Sequence, residues 1–338
     1  MANGTAAQGE QGGSREMRIQ EALREALRME MIRDKRVFIM GEDVQFFGGA
    51  YGVTRGMVQE FGPERILDTP ISEAAMVGLA IGAAINGYRP IVEIQFCDLL
   101  PICMDQLTTH AARYHYMTGG RISVPIVIRN KFGTKPGGGP SHSSCNHGAF
   151  LHFPGLKIIM PATPADAKGL LLAAIRDPNP VLCFESHHLY AQRGPVPEGD
   201  YTVPIGLAAV RRPGKDLTII TCGGMVLKAD SAAAALQEKG IDAEIIDLRT
   251  LAPLDKETIF RSVAKTKRAM VVDEGSIVGG VTSEIAALVQ ENLFSELQGP
   301  VVRIAAKPLP PPHSPPLVEA ILPDVEAIVA GALRLMKR

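Results

Sequence analysis

The residue best suited to chemistry is Glu73, a single carboxylate at the start of a long apolar segment. Residues 74–87 carry no charge, and Asn86 is their only polar side chain. The segment predicts a helix that Ser72 would cap and Gly87 would end. A helix that is apolar on every side is expected to be buried on every side. A carboxylate beside such a dry region is costly unless a partner group uses it, which favours function over an ordinary first-turn acid.

A second candidate is His142, which lies in a glycine-rich loop over residues 135–143 after a predicted strand. Glycines let a loop fold closely, so this one can bring an imidazole into a cleft. Histidine titrates near neutral pH and can act as a general acid. The alternative for a lone loop histidine is an ordinary surface residue.

A third candidate is Glu42, at the end of another predicted strand. Parallel α/β sheets bind ligands at the carboxyl ends of their strands. A solvated loop acid is an equally good interpretation of this position.

The cysteines and the other loop histidines suggest no metal centre. Cys145 is either a reactive thiol or a plain small-residue substitution, and His147 and His152 have no further ligand at a zinc-site spacing. The other cysteines lie among apolar neighbours without a Cys-x-x-Cys pair, and we expect reduced core thiols. They are Cys97, Cys103, Cys183 and Cys222.

The elements that position these residues alternate between short β-branched runs and helical stretches. That alternation predicts parallel α/β layers, here as two doubly wound domains. We expect a disordered tail over residues 1–16, a first domain over 17–190, a Pro- and Gly-rich linker over 191–215 and a second domain over 216–338.

The predicted elements of both halves follow from these periodicities. First-half strands are expected at Val37–Met40, Ile91–Phe96, Pro125–Ile128, Lys157–Met160 and Val181–Glu185, with helices from about Gln20, over Leu100–Tyr116 and over Pro164–Arg176. Second-half strands are expected at Leu217–Thr221, Ala243–Leu248, Ala269–Val272 and Val301–Ile304, with helices at Met225–Glu238, after Gly280 to Glu291 and at Leu322–Met336. A proline-rich stretch, residues 307–316, should be rigid and extended.

Composition excludes several classes of protein. The formal net charge of −1 gives no basic face for nucleic acid or an anionic membrane. No apolar run reaches the ~20 residues of a membrane span. The N-terminal residues lack the apolar core of a secretory signal and the arginines of a mitochondrial one, so we expect a cytoplasmic protein.

From about Met17 to the C-terminus the sequence resembles the beta subunit of thiamine-diphosphate-dependent 2-oxo acid dehydrogenases, a group that includes pyruvate, branched-chain 2-oxo acid and acetoin dehydrogenases. Many short blocks in the same order carry the resemblance. They are Gly41–Val44, Asp68–Glu73, Arg89–Glu93, Met104–Gln106, Tyr116–Gly120, Pro154–Lys157, Asp166–Leu171, Ile175–Pro180 and Asp247–Asp255. The resemblance implies an N-terminal pyrimidine-binding domain and a C-terminal transketolase-like domain.

The resemblance also implies roles for the candidate residues. Glu73 would hydrogen-bond N1' of the cofactor's aminopyrimidine and favour its imino tautomer, with a pKa raised by the apolar setting. His142 would help bind substrate or protonate a lipoyl sulfur. Glu42 would orient groups at the entrance, and Leu99 would pack near the aminopyrimidine where relatives often have an aromatic residue.

One expected motif is missing. Relatives that bind the diphosphate carry Gly-Asp-Gly and a later Asn, which hold Mg²⁺, and this chain has neither a Gly-Asp-Gly nor a GxGxxG. The chain would therefore own half of a cofactor site. A partner alpha subunit would supply the metal-binding half in an alpha2-beta2 tetramer, which would dock on a lipoyl-bearing acyltransferase core.

The resemblance further implies a potassium site at the end of a helix, where unpaired carbonyls collect. The groups implied are those of Ile126, Ala174, Ile175, Asp177 and Asn179. The alternative is an Asp-Pro-Asn turn that caps the helix without a metal.

The loop departs from the family pattern after His142. Relatives tend to have His-Ser-Gln-Ser followed by Glu, whereas this chain has Ser144, Cys145, Asn146 and His147. The substrate therefore stays open between a 2-oxo acid and acetoin, with residues 103–106 closer to the acetoin type. The alternatives are a self-sufficient transketolase or deoxyxylulose-phosphate synthase relative, and a non-catalytic scaffold subunit.

Overall fold

Parallel strands form the centre of each half of the chain in the computed structural model, which describes residues 13–337. The strands are β1 Ser14–Arg18, β2 Val37–Gly41, β3 Ile66–Asp68, β4 Arg89–Ile94, β5 Val127–Phe132, β6 Lys157–Ile159, β7 Val181–Ser186, β8 Arg193–Pro197, β9 Ala209–Arg212, β10 Leu217–Thr221, β11 Ala243–Asp247, β12 Thr250–Ala252, β13 Ala269–Ser276 and β14 Val302–Ala306.

Helices connect these strands and cover both sheets. They are α1 Ile19–Arg33, α2 Met57–Phe61, α3 Glu73–Ile85, α4 Tyr114–Met117, α5 His147–Phe150, α6 Pro164–Arg176, α7 Met225–Gln237, α8 Lys256–Thr266, α9 Val281–Leu293, α10 Pro315–Ile321 and α11 Val325–Met336. Short 3₁₀ turns occur at Cys97–Cys103, Gly139–Ser141 and His187–Leu189, and a π-helix at Asp105–Ala111.

The first sheet has the order β12-β6-β7-β5-β4-β2-β3 and the second the order β14-β13-β10-β11-β9. All pairs are parallel except the antiparallel edge strands β12 and β9. Strands β1 and β8 form a separate antiparallel ribbon. The two-domain α/β class predicted from the sequence is confirmed.

Successive side chains along a strand point to opposite faces of the sheet and so belong to different hydrophobic cores. In β2, Val37 and Ile39 join the core under α1 and α6, while Phe38 and Met40 join the core under α3. This second core continues through β10, α8 and α9 of the second half. A third core lies under α7 and α11. The two halves therefore share this hydrophobic core.

Most predicted elements are confirmed to within a few residues, but the helix expected at Leu100–Tyr116 is wrong. It is divided into the 3₁₀ turn, the π-helix and α4. Pro101 lies inside the first of these and has no N–H to donate, which interrupts regular helical bonding.

Several other elements were not predicted from the sequence. Residues 14–16, expected to be disordered, lie in β1 because they pair with β8, while residues 1–12 lie outside the described part of the chain. The expected linker contains β8 and β9, and α8 was not foreseen. The proline-rich stretch ends in α10, where Pro315 occupies the first turn and its fixed φ suits a helix start.

Helix α3 begins at the residue predicted, but the expectation that it is buried on every side is wrong for the single chain. Ala75, Gly78, Leu79, Gly82 and Ile85 are exposed on one face, Leu79 to 56%. Ser72 is the N-cap by position, but its hydroxyl donates to the Pro70 carbonyl at 3.2 Å instead of capping.

Candidate functional site

The predicted catalytic and cofactor-binding residues all follow the carboxyl ends of neighbouring parallel strands. Glu42 follows β2, Glu73 starts α3 after β3, Leu99 follows β4, and His142 follows β5. These strands are adjacent in the order β5-β4-β2-β3. The fold therefore gathers the candidates at the edge of the sheet where α/β proteins bind ligands.

Glu73 lies in the first turn of α3 with a side chain only 5% exposed. Within residues 13–337, no group donates a hydrogen bond to its carboxylate. The positive end of the helix dipole favours the negative charge there. A sheltered carboxylate without a donor fits a ligand that brings its own N–H, as an aminopyrimidine does.

Glu42 lies beside Glu73. Burial raises the pKa of Glu42, and the negative charges of Glu73 and Asp43 raise it further. Its backbone carbonyl accepts a hydrogen bond from Gln95 at 3.4 Å. The repulsion between these like charges therefore favours the neutral form of Glu42.

Leu99 lies in the turn Cys97–Cys103, which contacts α3. Its side chain is half-buried against the core, and its N–H donates to the Phe96 carbonyl at 3.0 Å. Cys103 in the same turn lies near Glu73: burial raises the pKa of this thiol to about 12, and the Glu73 charge contributes. The turn thus provides an apolar wall beside the carboxylate.

His142 is exposed at the tip of its loop. Its Nδ1 lies 2.8 Å from the Ser141 hydroxyl, and its ring meets the edge of Phe96 at 4.8 Å between centroids. Because Phe96 immediately precedes the turn that carries Leu99, the imidazole lies on the same side of the sheet as the cofactor candidates.

Cys145 and His147 have structural surroundings. Burial raises the pKa of the Cys145 thiol well above its ordinary value, so a reactive thiolate is not favoured. His147 is buried, with Nε2 at 3.0 Å from Asp273 of the second half. The other four thiols are buried and free, as predicted. Within residues 13–337, no cluster of metal-ligating side chains occurs.

The potassium candidates lie close together at the end of α6, but their oxygens already have partners. Val181 N–H donates to Ile126 O at 3.0 Å, Asp177 N–H to Ala174 O at 3.3 Å, and Arg89 to Ile175 O at 2.7 Å and Asp177 O at 3.2 Å. The Asp177 carboxylate binds Lys157 and the N–H of Asn179. A potassium ion there must share these oxygens with two side-chain cations.

Sequence reasoning missed a basic group behind Phe96. The ammonium of Lys131 lies 2.6 Å from the Tyr51 hydroxyl and 4.1 Å from the Phe96 ring centroid. Burial lowers its pKa to about 7, and the charge of Lys135 adds to this. No sequence signal could have found this cluster, because Lys131 of β5, Tyr51 and Phe96 are far apart in the chain.

An exposed apolar rim flanks Glu42 and Glu73. Phe46, Phe47 and Ile71 are exposed, and their segments are joined where Gln45 N–H donates to Asp68 at 2.9 Å. On the adjoining face of α3, a side chain added at Gly82 would meet nothing within 4 Å. Gly82 is thus open to another chain rather than packed in this one.

The helices formed by residues 13–337 include none with the length and apolarity needed to cross a bilayer.

Comparison with known proteins agrees with this architecture. Residues 15–192 match the transketolase pyrimidine binding domain, and residues 206–328 match the transketolase C-terminal domain. A solved split-gene transketolase, described as an inactive beta4 tetramer, superposes with a TM-score of 0.77 over 96% of this chain and 99% of that one, at 22% identity. At that identity the likeness concerns the fold alone.

Curated relatives are more similar in sequence. The acetoin:2,6-dichlorophenolindophenol oxidoreductase subunit beta of Bacillus subtilis is 42% identical, covering 96% of this chain and 98% of the relative. The pyruvate dehydrogenase E1 component subunit beta of Rhizobium meliloti is 45% identical over 93% of this chain and 68% of the relative. The 2-oxoisovalerate dehydrogenase subunit beta of Bacillus subtilis is 42% identical over 93% and 97%.

The fold and the sheltered carboxylate at its sheet edge define a transketolase-type protein with a pyrimidine-binding domain. Within that class, the chain belongs to the family of beta subunits of 2-oxo acid and acetoin dehydrogenase decarboxylating components.

Proposed function

We propose that this chain, together with an alpha subunit, catalyses the thiamine-diphosphate-dependent decarboxylation or cleavage of a 2-oxo acid or acetoin and the transfer of the acyl group to a lipoyl group. The observation that carries the proposal is Glu73, a carboxylate only 5% exposed at a helix start and without a protein donor. Family membership and the place of Glu73 at the carboxyl edge of the sheet support the same reaction.

Thiamine diphosphate, when bound, would supply a carbon nucleophile for this reaction. Glu73 holds a proton at the aminopyrimidine ring nitrogen, and the turn with Leu99 and Cys103 keeps water from this carboxylate. Glu42, whose pKa burial raises, orients groups at the entrance. Sharing this proton requires a site of low polarity, because solvent would otherwise compete for the proton.

His142 acts on the acceptor. When the acyl group passes to the lipoyl disulfide, the S–S bond breaks, one sulfur bonds to the acyl carbon and the other takes a proton. His142 is exposed at the loop tip, where an entering lipoyl group can reach it, and its imidazole donates that proton.

The partner proposed for the exposed rim and for the open face of α3 is the alpha subunit, in an alpha2-beta2 tetramer. Phe46, Phe47 and Ile71 lie beside the cofactor candidates, and large apolar side chains exposed together mark an interaction surface. The alpha subunit holds Mg²⁺ and the diphosphate. The second half contributes to docking on the lipoyl-bearing acyltransferase core, and a structural potassium ion sits at the end of α6.

The test is Glu73→Gln in the complex reconstituted with the alpha partner. Glutamine keeps the size of the side chain but cannot share a proton, so turnover should fall at least about 100-fold. Assembly, followed by sedimentation, should be unchanged. Glu64→Gln, at an exposed acid before β3, is the matched control and should keep full activity. Unchanged turnover in Glu73→Gln would favour a scaffold subunit instead.

A further inference from the structure

The loop that carries His142 is attached to the second half of the chain at three places. We call residues 134–147 the histidine loop. Its first residue, its middle and its last residue each contact a different group of the second half. The middle contact involves the proline-rich stretch, for which the proposed reaction has so far given no role.

At the first end, the N–H of Thr134 donates to Oε1 of Glu274 at 2.7 Å. The Glu274 side chain is buried, and the same oxygen lies 3.3 Å from Nε2 of His188. That nitrogen is also 3.1 Å from the Thr134 carbonyl. The backbone N–H and the carbonyl of Thr134 thus both hold the start of the loop in place.

At the other end, Nε2 of His147 lies 3.0 Å from Oδ2 of Asp273, and both side chains are buried. Burial lowers the pKa of His147, but the carboxylates of Asp273 and Glu274 outweigh this and the net pKa is raised. Burial likewise raises the pKa of Asp273, and His147 outweighs it, so the net pKa is lowered. The raised pKa of His147 and the lowered pKa of Asp273 both favour an ion pair.

Between the two ends, the N–H of Gly137 donates to the carbonyl of His313 at 3.0 Å. At Gly139, which has φ +63°, an added Cβ would lie 2.2 Å from Cε1 of the same histidine. His313 belongs to the proline-rich stretch, residues 307–316, whose prolines restrict the backbone. A stiff segment therefore supports the loop close to its tip.

The two end contacts come from adjacent residues of one strand, β13. Successive side chains of a strand point to opposite sides, so Asp273 and Glu274 can reach different ends of one loop. A single rigid strand end therefore fixes the span of the loop, and His313 fixes its middle.

We propose that Asp273, Glu274 and His313 are positioning residues for His142, so that the second half sets the geometry of the acyl-acceptor step. The proposal rests on the proposed role of His142 as proton donor to the lipoyl sulfur. It assigns His147, which departs from the family pattern, to the loop's attachment and not to the chemistry. A loop fixed in this way spends little binding energy on ordering when the lipoyl group enters.

The experiment compares His147→Gln and Asp273→Asn with Arg249→Gln in the complex with the alpha partner. Arg249 is a matched control because it also joins the two halves, through Asp166 at 2.7 Å, away from the loop. Hydrogen exchange of peptides covering residues 134–147 is measured by mass spectrometry. Lipoyl-domain acylation is measured beside turnover with 2,6-dichlorophenolindophenol, an artificial electron acceptor that needs no lipoyl protonation.

In His147→Gln and Asp273→Asn, loop exchange should speed up at least tenfold, and the kcat of lipoyl acylation should fall about 10- to 100-fold. Turnover with the dye should fall less than threefold. His142→Ala should change the ratio of the two activities in the same direction, and Arg249→Gln should change neither exchange nor ratio. Gly139→Ala, which displaces His313 without touching the buried pair, provides a second variant if the first two fail to fold.

The proposal is overturned if loop exchange is unchanged in folded His147→Gln and Gly139→Ala, or if both activities fall equally. A different result would reject the proposed function alone: an inactive wild-type complex whose loop exchange still rises in His147→Gln but not in Arg249→Gln. In that case the attachment holds and the role of His142 in acyl transfer does not.

Discussion

At the scale of single residues, exposure to water separates the two proposed catalytic groups. Glu73 is sheltered at a helix start, where a shared proton is not lost to solvent. His142 is exposed at a loop tip, where a mobile acceptor can reach it. One chain therefore provides a dry environment for the cofactor and an open one for the lipoyl group.

A buried charge cluster supports the loop that follows Glu42. Arg129 binds Glu93 at 2.8 Å and Glu185 at 2.7 Å. Glu93 in turn accepts the N–H of Ala50 at 3.1 Å, and an added Cβ at Gly49 would lie 2.0 Å from its Oε1. Only glycine fits at that point, so the cluster fixes the path of the loop.

The His147–Asp273 pair predicts how stability depends on pH. The pKa of His147 is raised on folding, so its contribution is complete below about pH 6.5 and is lost as pH rises through the raised value. The pKa of Asp273 is lowered, so its contribution is complete above about pH 4 and is lost as pH falls through the lowered value. The pair therefore stabilises most between these limits.

We expect His147→Gln to cost about 1.5–3 kcal/mol at pH 6, the range for a hydrogen bond to a charged group. The difference from wild type should shrink at pH 9, in urea unfolding at both pH values. The other groups near the pair are the charged Glu274 and the thiols of Cys222 and Cys145, which burial keeps neutral because it raises their pKa values. A difference that stays constant with pH would contradict the ion pair.

At the scale of elements, α3 has two different faces. Met76, Val77, Ala80 and Ala84 pack in the core, while the face with Gly82 is open. The second face is apolar although nothing in the isolated chain covers it. The sequence of α3 therefore resembles that of a fully buried helix.

Gly82→Leu separates folding from assembly. Leucine favours a helix over glycine by up to about 1 kcal/mol, and nothing in the chain lies within 4 Å of the added Cβ, so thermal stability should not fall. Association with the alpha subunit should weaken at least tenfold in sedimentation velocity, because the added side chain blocks close approach. Ser231→Leu, on an exposed face of α7, is the control. Normal assembly of Gly82→Leu would place the partner elsewhere.

The end of α6 offers a test for potassium. If an ion shares the carbonyl oxygens there, KCl should raise the melting temperature relative to NaCl at equal ionic strength, since a ligand of the native state stabilises it. Asp177→Ala should abolish the difference. Equal melting temperatures in both salts would mean that Arg89 and Lys157 already satisfy these oxygens without a potassium ion.

At the scale of the whole molecule, the two halves are joined by more than their linker. Strand β12, from the second half, pairs with β6 in the first sheet, and one hydrophobic core contains residues of both. The contacts of the histidine loop with Asp273, Glu274 and His313 add to this connection.

We therefore expect the chain to unfold in one cooperative transition. Far-ultraviolet circular dichroism and tyrosine fluorescence, with Tyr51 in the first half and no tryptophan to interfere, should give coincident urea curves. Two separate transitions would show that the shared core contributes little.

The α/β class, most strands and the start of α3 at Glu73 can be predicted from the order of the residues alone. These features depend on local periodicity and end signals, which can be read without knowing any partner. The sequence did not predict β1, β3, β8, β9 and β12, because short edge strands exist only through the strands beside which they lie.

The surroundings of the site became visible only in the folded chain. Arg129 with its two carboxylates, Lys131 behind Phe96 and the attachment of the histidine loop join residues far apart in the chain. His147 and Asp273 are separated by 126 positions, and neither carries a signal that names the other. Burial and charge pairing are properties of positions in space, so they follow from the fold and not from the order of residues.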